Sequence, residues 1–151
     1  MPHIFDKSYW EKRWQEQKIG WDIGCVSPAI KDYTEQLTDK SIKILIPGAG
    51  NGYEAEYLYK KGFSNVFYMD YAPSSVTTFL KRVPDFPENK ILTDDFFAHQ
   101  GKYDLIIELA FFTSFCPEKR PEYAQKVHDL LNPGGKTELP AVIKQKKTAP
   151  P

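Results

Sequence analysis

Three glycines at alternate positions are the residues of this chain that most clearly indicate a ligand-binding site. They form the loop Gly48-Ala49-Gly50-Asn51-Gly52, which follows the apolar run 42–46 and Pro47. Glycine has no Cβ and adopts positive φ easily, so such a loop turns sharply and lets a ligand approach the backbone closely. After a buried strand and before a helix, the pattern is typical of a nucleoside-binding site.

A carboxylate stands where it could serve the same ligand. Asp70 ends a second apolar run, 66–69, and lies twenty positions after Gly50. In open α/β sheets this position lets a carboxylate accept hydrogen bonds from both hydroxyls of a ribose. A strand-end aspartate is by itself more often a turn residue, but its spacing from the glycine loop favours the ribose role.

A further acidic pair, Asp94-Asp95, precedes two aromatic residues, Phe96 and Phe97. Asp95 could accept a hydrogen bond from an adenine amino group while Phe96 packs against the ring. An ordinary acidic turn explains the same residues equally well. Both interpretations remain open from the sequence.

Position 53 narrows the choice of nucleoside. The dinucleotide fingerprint has glycine or alanine there, whereas this chain has Tyr53, and no lysine follows the loop to bind a phosphate. These features disfavour NAD and exclude a Walker-type site. A ligand with adenosine but no phosphate fits better, and S-adenosylmethionine is the common one. An NAD-binding oxidoreductase domain remains the less favoured alternative.

The surrounding elements alternate between strand and helix patterns. Strands are predicted at 42–46, 66–69, 90–92 and 105–107, with helices at 53–61, 74–82 and 121–131. This order predicts an α/β fold whose mostly parallel sheet has helices on both faces. Ser74 is expected to cap the second helix, Pro121 to lie in the first turn of the third, and residues 132–135 to end it.

Three tryptophans precede the first strand. Trp10 and Trp14 are four positions apart and share a helix face, and Trp21 follows after a turn. The simpler interpretation is an apolar stripe that docks this helix onto the sheet. The functional alternative is an aromatic lid over a cationic ligand, and both can hold for different indoles.

Composition limits the partners. The 151 residues include twenty basic and twenty acidic side chains, so the chain offers no charge pattern for nucleic acid or a membrane surface. The cysteines and histidines are too scattered for a metal site. We expect a single domain, residues 1–151, that is cytoplasmic, is a monomer or weak homodimer, and acts on a small molecule.

Four blocks together carry a more specific signal. The chain resembles the thiopurine S-methyltransferase superfamily of class I methyltransferases, and within it the branch of halide and thiol methyltransferases. The blocks comprise 10–14 with 20–24, then 46–52, then 95–112, and finally 117–135. The Ile46-Pro47 pair before the loop is itself a mark of this superfamily.

This resemblance implies a Rossmann-like fold and S-adenosylmethionine as cofactor, with a helical cover at 1–40, a core at 41–136 and an atypical tail at 137–151. It also implies roles for individual residues. The cofactor would be contacted by Trp10, Trp14 and Trp21 in the cover, Gly48 and Gly50 in the loop, Asp70 at the ribose, Asp95 and Phe96 at the adenine, and Glu108 and Leu109 near the cofactor or acceptor. Relatives often have an aromatic or basic residue at 109, so Leu109 argues against a polar role there.

The expected reaction needs little acid–base chemistry. Methyl transfer to a small, soft nucleophile such as a thiol or halide requires mainly alignment and exclusion of water. A hydroxyl acceptor would need a general base, and Asp22 and Glu108 are the candidates for that role.

The C-terminal segment departs from the family pattern. After Lys136 relatives continue with a long apolar strand, whereas this chain has Pro140 and a basic, proline-ended tail. We therefore expect the last strands to be missing or altered, with an unpaired edge beside the fourth strand. We further hypothesise that methyltransferase activity of this chain is weak or absent. The alternative to an enzyme is a non-catalytic domain that binds S-adenosylmethionine or S-adenosylhomocysteine.

Overall fold

The structure is a computed structural model, and it describes residues 7–16, 24–108 and 117–138. Within them the helices are α1 Lys7–Gln15, α2 Pro28–Thr34, α3 Tyr53–Lys60, α4 Pro73–Arg82 and α5 Arg120–Leu130. The strands are β1 Ile44–Pro47, β2 Val66–Met69, β3 Ile91–Leu92, β4 Tyr103–Ile107 and β5 Leu131–Glu138. Among these helices, none is long and apolar enough to cross a membrane.

All strand pairings are parallel, and the strand order is β3-β2-β1-β4-β5. Successive side chains of the central strands point to opposite faces of the sheet. They therefore pack into two separate cores, one on each face. One core joins Ile44 of β1 to Leu58 of α3 and Phe79 of α4. The other joins Leu45 to Val127 of α5. The predicted parallel α/β sheet with helices on both faces is confirmed.

The expected unpaired edge beside β4 is wrong. The segment directly after α5 extends as β5 and pairs with β4, with Leu131 opposite Tyr103 and Lys136 opposite Leu105. The register shifts between these pairs, so residues 132–135 form an irregular stretch opposite Asp104. The Asp104 carboxylate accepts from the Asn132 side-chain amide at 3.0 Å, which secures this stretch to β4.

The expected cap of α4 is also wrong. The helix begins one residue before Ser74, and its N-cap position is Ala72. Ser74 therefore lies inside the first turn, and its hydroxyl donates to Glu11 of α1 instead. Pro121 does lie in the first turn of α5, as predicted.

Candidate functional site

The glycine loop leaves β1 and crosses the carboxyl end of β2. Gly48, Gly50 and Gly52 have φ values of +62°, +59° and +72°, a left-handed conformation that residues with a Cβ rarely adopt. Between them, the Ala49 N–H donates to the Met69 carbonyl at 2.9 Å. The alternating glycines are thus required by the backbone path, and the loop is attached directly to the neighbouring strand.

Two side chains from the end of β2 hold Gly50 on both of its backbone polar groups. The Gly50 N–H donates to Asp70 Oδ2 at 2.9 Å, and the Tyr68 hydroxyl donates to the Gly50 carbonyl at 2.7 Å. Tyr68 is fully buried. Sequence reasoning missed this role for Tyr68, because its place in an apolar strand indicates only a core residue.

The Asp70 carboxylate also reaches the start of α4. Its Oδ1 accepts from the Ala72 N–H at 3.0 Å. Burial raises the pKa of Asp70 above its usual value, although the hydrogen bonds from Ala72, Gly50 and Ser75 oppose that rise. Each carboxylate oxygen can accept more than one hydrogen bond, so both retain capacity for a ligand hydroxyl. The predicted ribose contact stays a prediction.

Two stacked aromatic rings pack against the glycine loop at Gly52. The Tyr68 and Phe79 rings are 4.4 Å apart between centroids, with 16° between their planes. Gly52 lies directly on this stack: a Cβ there would lie 2.4 Å from Phe79 Cδ1. The loop can therefore adopt its position only with glycine at 52.

Arg82 at the end of α4 fixes the outer side of the loop. Its guanidinium donates to the Asn51 carbonyl at 2.6 Å and to Glu56 of α3 at 2.7 Å, and it lies 4.4 Å from the centroid of the Tyr53 ring. Glu56 also accepts from Lys60. Partial burial opposes ionisation of Glu56, but the hydrogen bonds from Lys60 and Arg82 outweigh it and lower its pKa. The loop is thus held by both β2 and α4.

Replacing Arg82 with glutamine is expected to cost about 1 to 2 kcal/mol of unfolding free energy, since the contacts to Asn51 and Glu56 are lost together. Lys60→Gln removes only a surface ion pair to the same Glu56 and should change stability by less than about 0.5 kcal/mol. Urea denaturation of both variants measures the difference. Equal effects would show that Arg82 acts only as a partner of Glu56.

The residues predicted to contact adenine lie in a turn after β3. Asp95 accepts from the Phe97 N–H at 3.1 Å and so begins the 3₁₀ turn Phe96–Ala98. Phe96 is 5% exposed, and its ring stacks on Tyr123 of α5 at 5.5 Å. Asp95 therefore acts here as a turn residue, which was the alternative to an adenine contact. An adenine contact by either residue stays a prediction.

The residues on either side of this turn, Asp94 and His99, contact each other, and His99 also contacts β4. His99 Nδ1 lies 2.9 Å from Asp94 Oδ2, and its Nε2 lies 2.8 Å from the Tyr103 hydroxyl at the start of β4. Burial, and secondarily the Asp94 charge, raises the pKa of Tyr103 to about 12. The histidine thereby connects the turn to the central sheet. Sequence reasoning missed this chain of contacts.

Glu108 follows β4 and is 1% exposed. Its carboxyl lies close to the buried Tyr123, where burial and then the charge of Glu108 raise the pKa of the phenol well above its usual value. Glu108 is therefore enclosed against α5. Its predicted contact with cofactor, and its candidacy as a base, stay predictions.

The N-terminal cover is described in part. In α1, Trp14 is 6% exposed and Trp10 is half-buried, and the helix contacts α4. Trp21, Asp22 and Leu109 lie outside the described residues. Among the residues that are described, no three His, Cys, Asp or Glu side chains converge in a way that could hold a metal ion.

Comparison with known sequences identifies relatives along almost the whole chain. The family model for thiopurine S-methyltransferase (TPMT) matches residues 5–151. A probable thiol methyltransferase 2 of Arabidopsis thaliana is 33% identical over 131 residues, which cover 83% of this chain and 58% of the relative. Thiocyanate methyltransferase 1 of Brassica oleracea is 26% identical over 140 residues, which cover 89% and 62%. The chain thus spans less than two thirds of these relatives' length.

Comparison with solved structures gives the same fold. A Burkholderia thailandensis 1,6-didemethyltoxoflavin-N1-methyltransferase, crystallised with 1,6-didemethyltoxoflavin and S-adenosylhomocysteine, superposes with a TM-score of 0.74. The match covers 92% of this chain and 63% of that structure at 19% identity. It therefore shows a Rossmann-like class I methyltransferase fold, as predicted from the sequence.

Proposed function

Because this chain belongs to the thiopurine S-methyltransferase family, we propose that it binds S-adenosylmethionine and transfers the methyl group to a small, soft nucleophile such as a thiol or halide. The observation that carries the proposal is the double attachment of Gly50 to Tyr68 and Asp70. It presents a glycine-rich loop beside a carboxylate, at the carboxyl edge of a parallel sheet. This is where open α/β sheets bind nucleosides.

The residues present fit this cofactor. Gly48 and Gly50 carry no Cβ, so a ligand can approach the loop backbone. Asp70 is half-buried and keeps acceptor capacity on both oxygens for ribose hydroxyls. When bound, S-adenosylmethionine supplies a methyl group on a positively charged sulfur, which a nucleophile can attack directly.

The protein's contribution is chiefly to align the reactants and exclude water, which can lower the barrier by about 7 to 11 kcal/mol. The glycine loop and Asp70 would fix the nucleoside end, while Trp10 and Trp14 would cover it. A thiolate or halide acceptor needs no proton removed by the protein. With a hydroxyl acceptor, Asp22 or Glu108 would take that proton.

Binding and turnover test the proposal separately. Calorimetry should show saturable binding of S-adenosylhomocysteine and none of NADH. Incubation with S-adenosylmethionine and a panel of thiols, thiocyanate and iodide should release S-adenosylhomocysteine with at least one of them. Binding without release would favour a non-catalytic binding domain, and preferential binding of NADH would refute the proposal.

A further inference from the structure

Helix α1, which carries Trp10 and Trp14, makes a hydrogen-bonded contact with α4 through the carboxylate of Glu11. Glu11 accepts a hydrogen bond from the Ser74 backbone N–H at 2.9 Å and a second from the Ser74 hydroxyl. The two residues are 63 positions apart. This contact is therefore tertiary, and it connects the N-terminal cover to the first turn of α4.

The first turn of α4 needs an acceptor from outside the helix. Pro73 has no backbone N–H, and the Ser75 N–H donates to the Ala72 carbonyl at 3.0 Å, so the donor in question is the Ser74 N–H. The N-cap residue Ala72 cannot accept it, because its side chain is a methyl group. A negative charge at this end of a helix is also favoured by the helix dipole. Glu11 supplies both the acceptor and the charge.

The contact favours the ionised form of Glu11. Partial burial opposes ionisation, but the hydrogen bonds from Ser74 and Gln15 and the charge of Lys7 outweigh it, and the pKa of Glu11 is lowered. Glu11 is consequently ionised at neutral pH. Hydrogen bonds to a charged group contribute more than those between neutral groups.

The contact lies beside the proposed nucleoside site. Asp70 is only four positions before Ser74, and its own Oδ1 accepts from Ala72 in the same turn. The charge of Glu11 is near enough to contribute to the raised pKa of Asp70. A movement of α1 at this point would therefore change the immediate surroundings of Asp70.

We propose that Glu11 is a positioning residue: by capping α4 it holds α1, and with it Trp10 and Trp14, against the cofactor site. The proposal rests on the proposed function for its consequence, since a displaced cover would weaken cofactor binding. The attachment itself does not depend on that function. Glu11 is not proposed to touch the reacting atoms.

Two variants break the contact in different ways, and a third is a matched control. Glu11→Gln removes the charge, whereas Ser74→Ala removes the hydroxyl donor and keeps the charge beside Asp70. Glu16→Gln changes an exposed carboxylate that directly follows α1 and pairs with Lys12. Trypsin can report on α1, because Lys12 and Arg13 become cleavable when the helix detaches.

We expect trypsin to cleave after Lys12 or Arg13 about tenfold faster in Glu11→Gln and Ser74→Ala than in wild type or Glu16→Gln, since charge-assisted hydrogen bonds are lost. The Kd for S-adenosylhomocysteine and the KM for S-adenosylmethionine should rise by a similar factor, while kcat changes less. The double variant should show less than the sum of the two single effects, because both changes weaken the same contact between Glu11 and Ser74.

Unchanged cleavage in both Glu11→Gln and Ser74→Ala would overturn the proposal. So would a loss of global stability in urea that accounts for the faster cleavage, because Glu11 would then be only a structural residue. If wild-type protein bound no S-adenosylhomocysteine, the proposed function would fail. The trypsin comparison would still decide whether Glu11 holds the cover.

Discussion

Gly52→Ala is expected to destabilise the domain by about 2 to 5 kcal/mol. The residue has a φ of +72°, where a Cβ costs about 1 to 2 kcal/mol in backbone strain. The new Cβ would lie 2.4 Å from Phe79 Cδ1 and 3.0 Å from Tyr68 Cε2. Both rings are fully buried and stacked, so they cannot move aside cheaply, and overpacking adds about 1 to 3 kcal/mol.

The same substitution should weaken cofactor binding in the molecules that remain folded. Relief of the clash moves the loop away from the aromatic stack, and the Tyr68 and Asp70 contacts to Gly50 lengthen as a result. Urea denaturation gives the stability change, and calorimetry with S-adenosylhomocysteine gives the affinity. The expected result is a large loss in both.

Gly62→Ala is the matched control. Gly62 follows α3 with a φ of +98°, and a Cβ there would meet no atom within 4 Å. Gly62→Ala should therefore introduce backbone strain without a steric clash. It should leave the affinity for S-adenosylhomocysteine unchanged. Equal destabilisation by the two alanines would contradict the role assigned to the Tyr68–Phe79 stack.

The parts of the fold that depend on local pattern were predictable from the sequence. Apolar runs of three to five residues separated by helix-like segments predicted the parallel strands, because hydrophobic periodicity and turn residues are local properties of the sequence. Glycines 48, 50 and 52 marked the loop, since only glycine takes positive φ readily. The distance of Asp70 from that loop predicted that the two lie together, and in the structure its carboxylate accepts from the Gly50 N–H.

The contacts that hold the site were not predictable, because their partners are distant in sequence. Ser74 has the residue type of a helix cap, yet its hydroxyl bonds Glu11, 63 positions away. Tyr68 has the pattern of a core residue, yet its hydroxyl holds Gly50. β5 was missed for a related reason: Pro133 and two glycines indicate a turn, and only their position opposite Asp104 lets an irregular strand continue.

Asp70→Ala is expected to weaken binding of S-adenosylhomocysteine by about 10- to 100-fold. Hydrogen bonds from ribose hydroxyls to a carboxylate contribute about 1.5 to 3 kcal/mol, and 1.4 kcal/mol is a factor of ten. The substitution also leaves the N–H groups of Gly50 and Ala72 without their carboxylate acceptor. Some loss of affinity would therefore follow from loop movement alone, and calorimetry with one ligand cannot separate the two causes.

A ligand lacking a ribose hydroxyl separates them. If Asp70 accepts from the ribose, wild type should prefer S-adenosylhomocysteine to its 2′- or 3′-deoxy analogue, and Asp70→Ala should lose that preference. If Asp70 only holds the loop, the variant should bind all three ligands more weakly by one common factor. The second outcome would refute the ribose contact and leave the loop attachment standing.

The pH dependence gives an independent check on Asp70, because its two effects have opposite signs. Burial raises the folded-state pKa above the usual value, so the group's favourable contribution to folding is present at low pH and is lost as pH rises through the raised pKa. Ligand binding needs the ionised carboxylate, so affinity should instead fall as pH drops through the same value. The difference between wild type and Asp70→Ala gives the contribution of Asp70 to stability and to affinity, because the other carboxylates titrate in both proteins. Affinity that changes identically with pH in the two proteins would contradict an ionised Asp70 in the bound state.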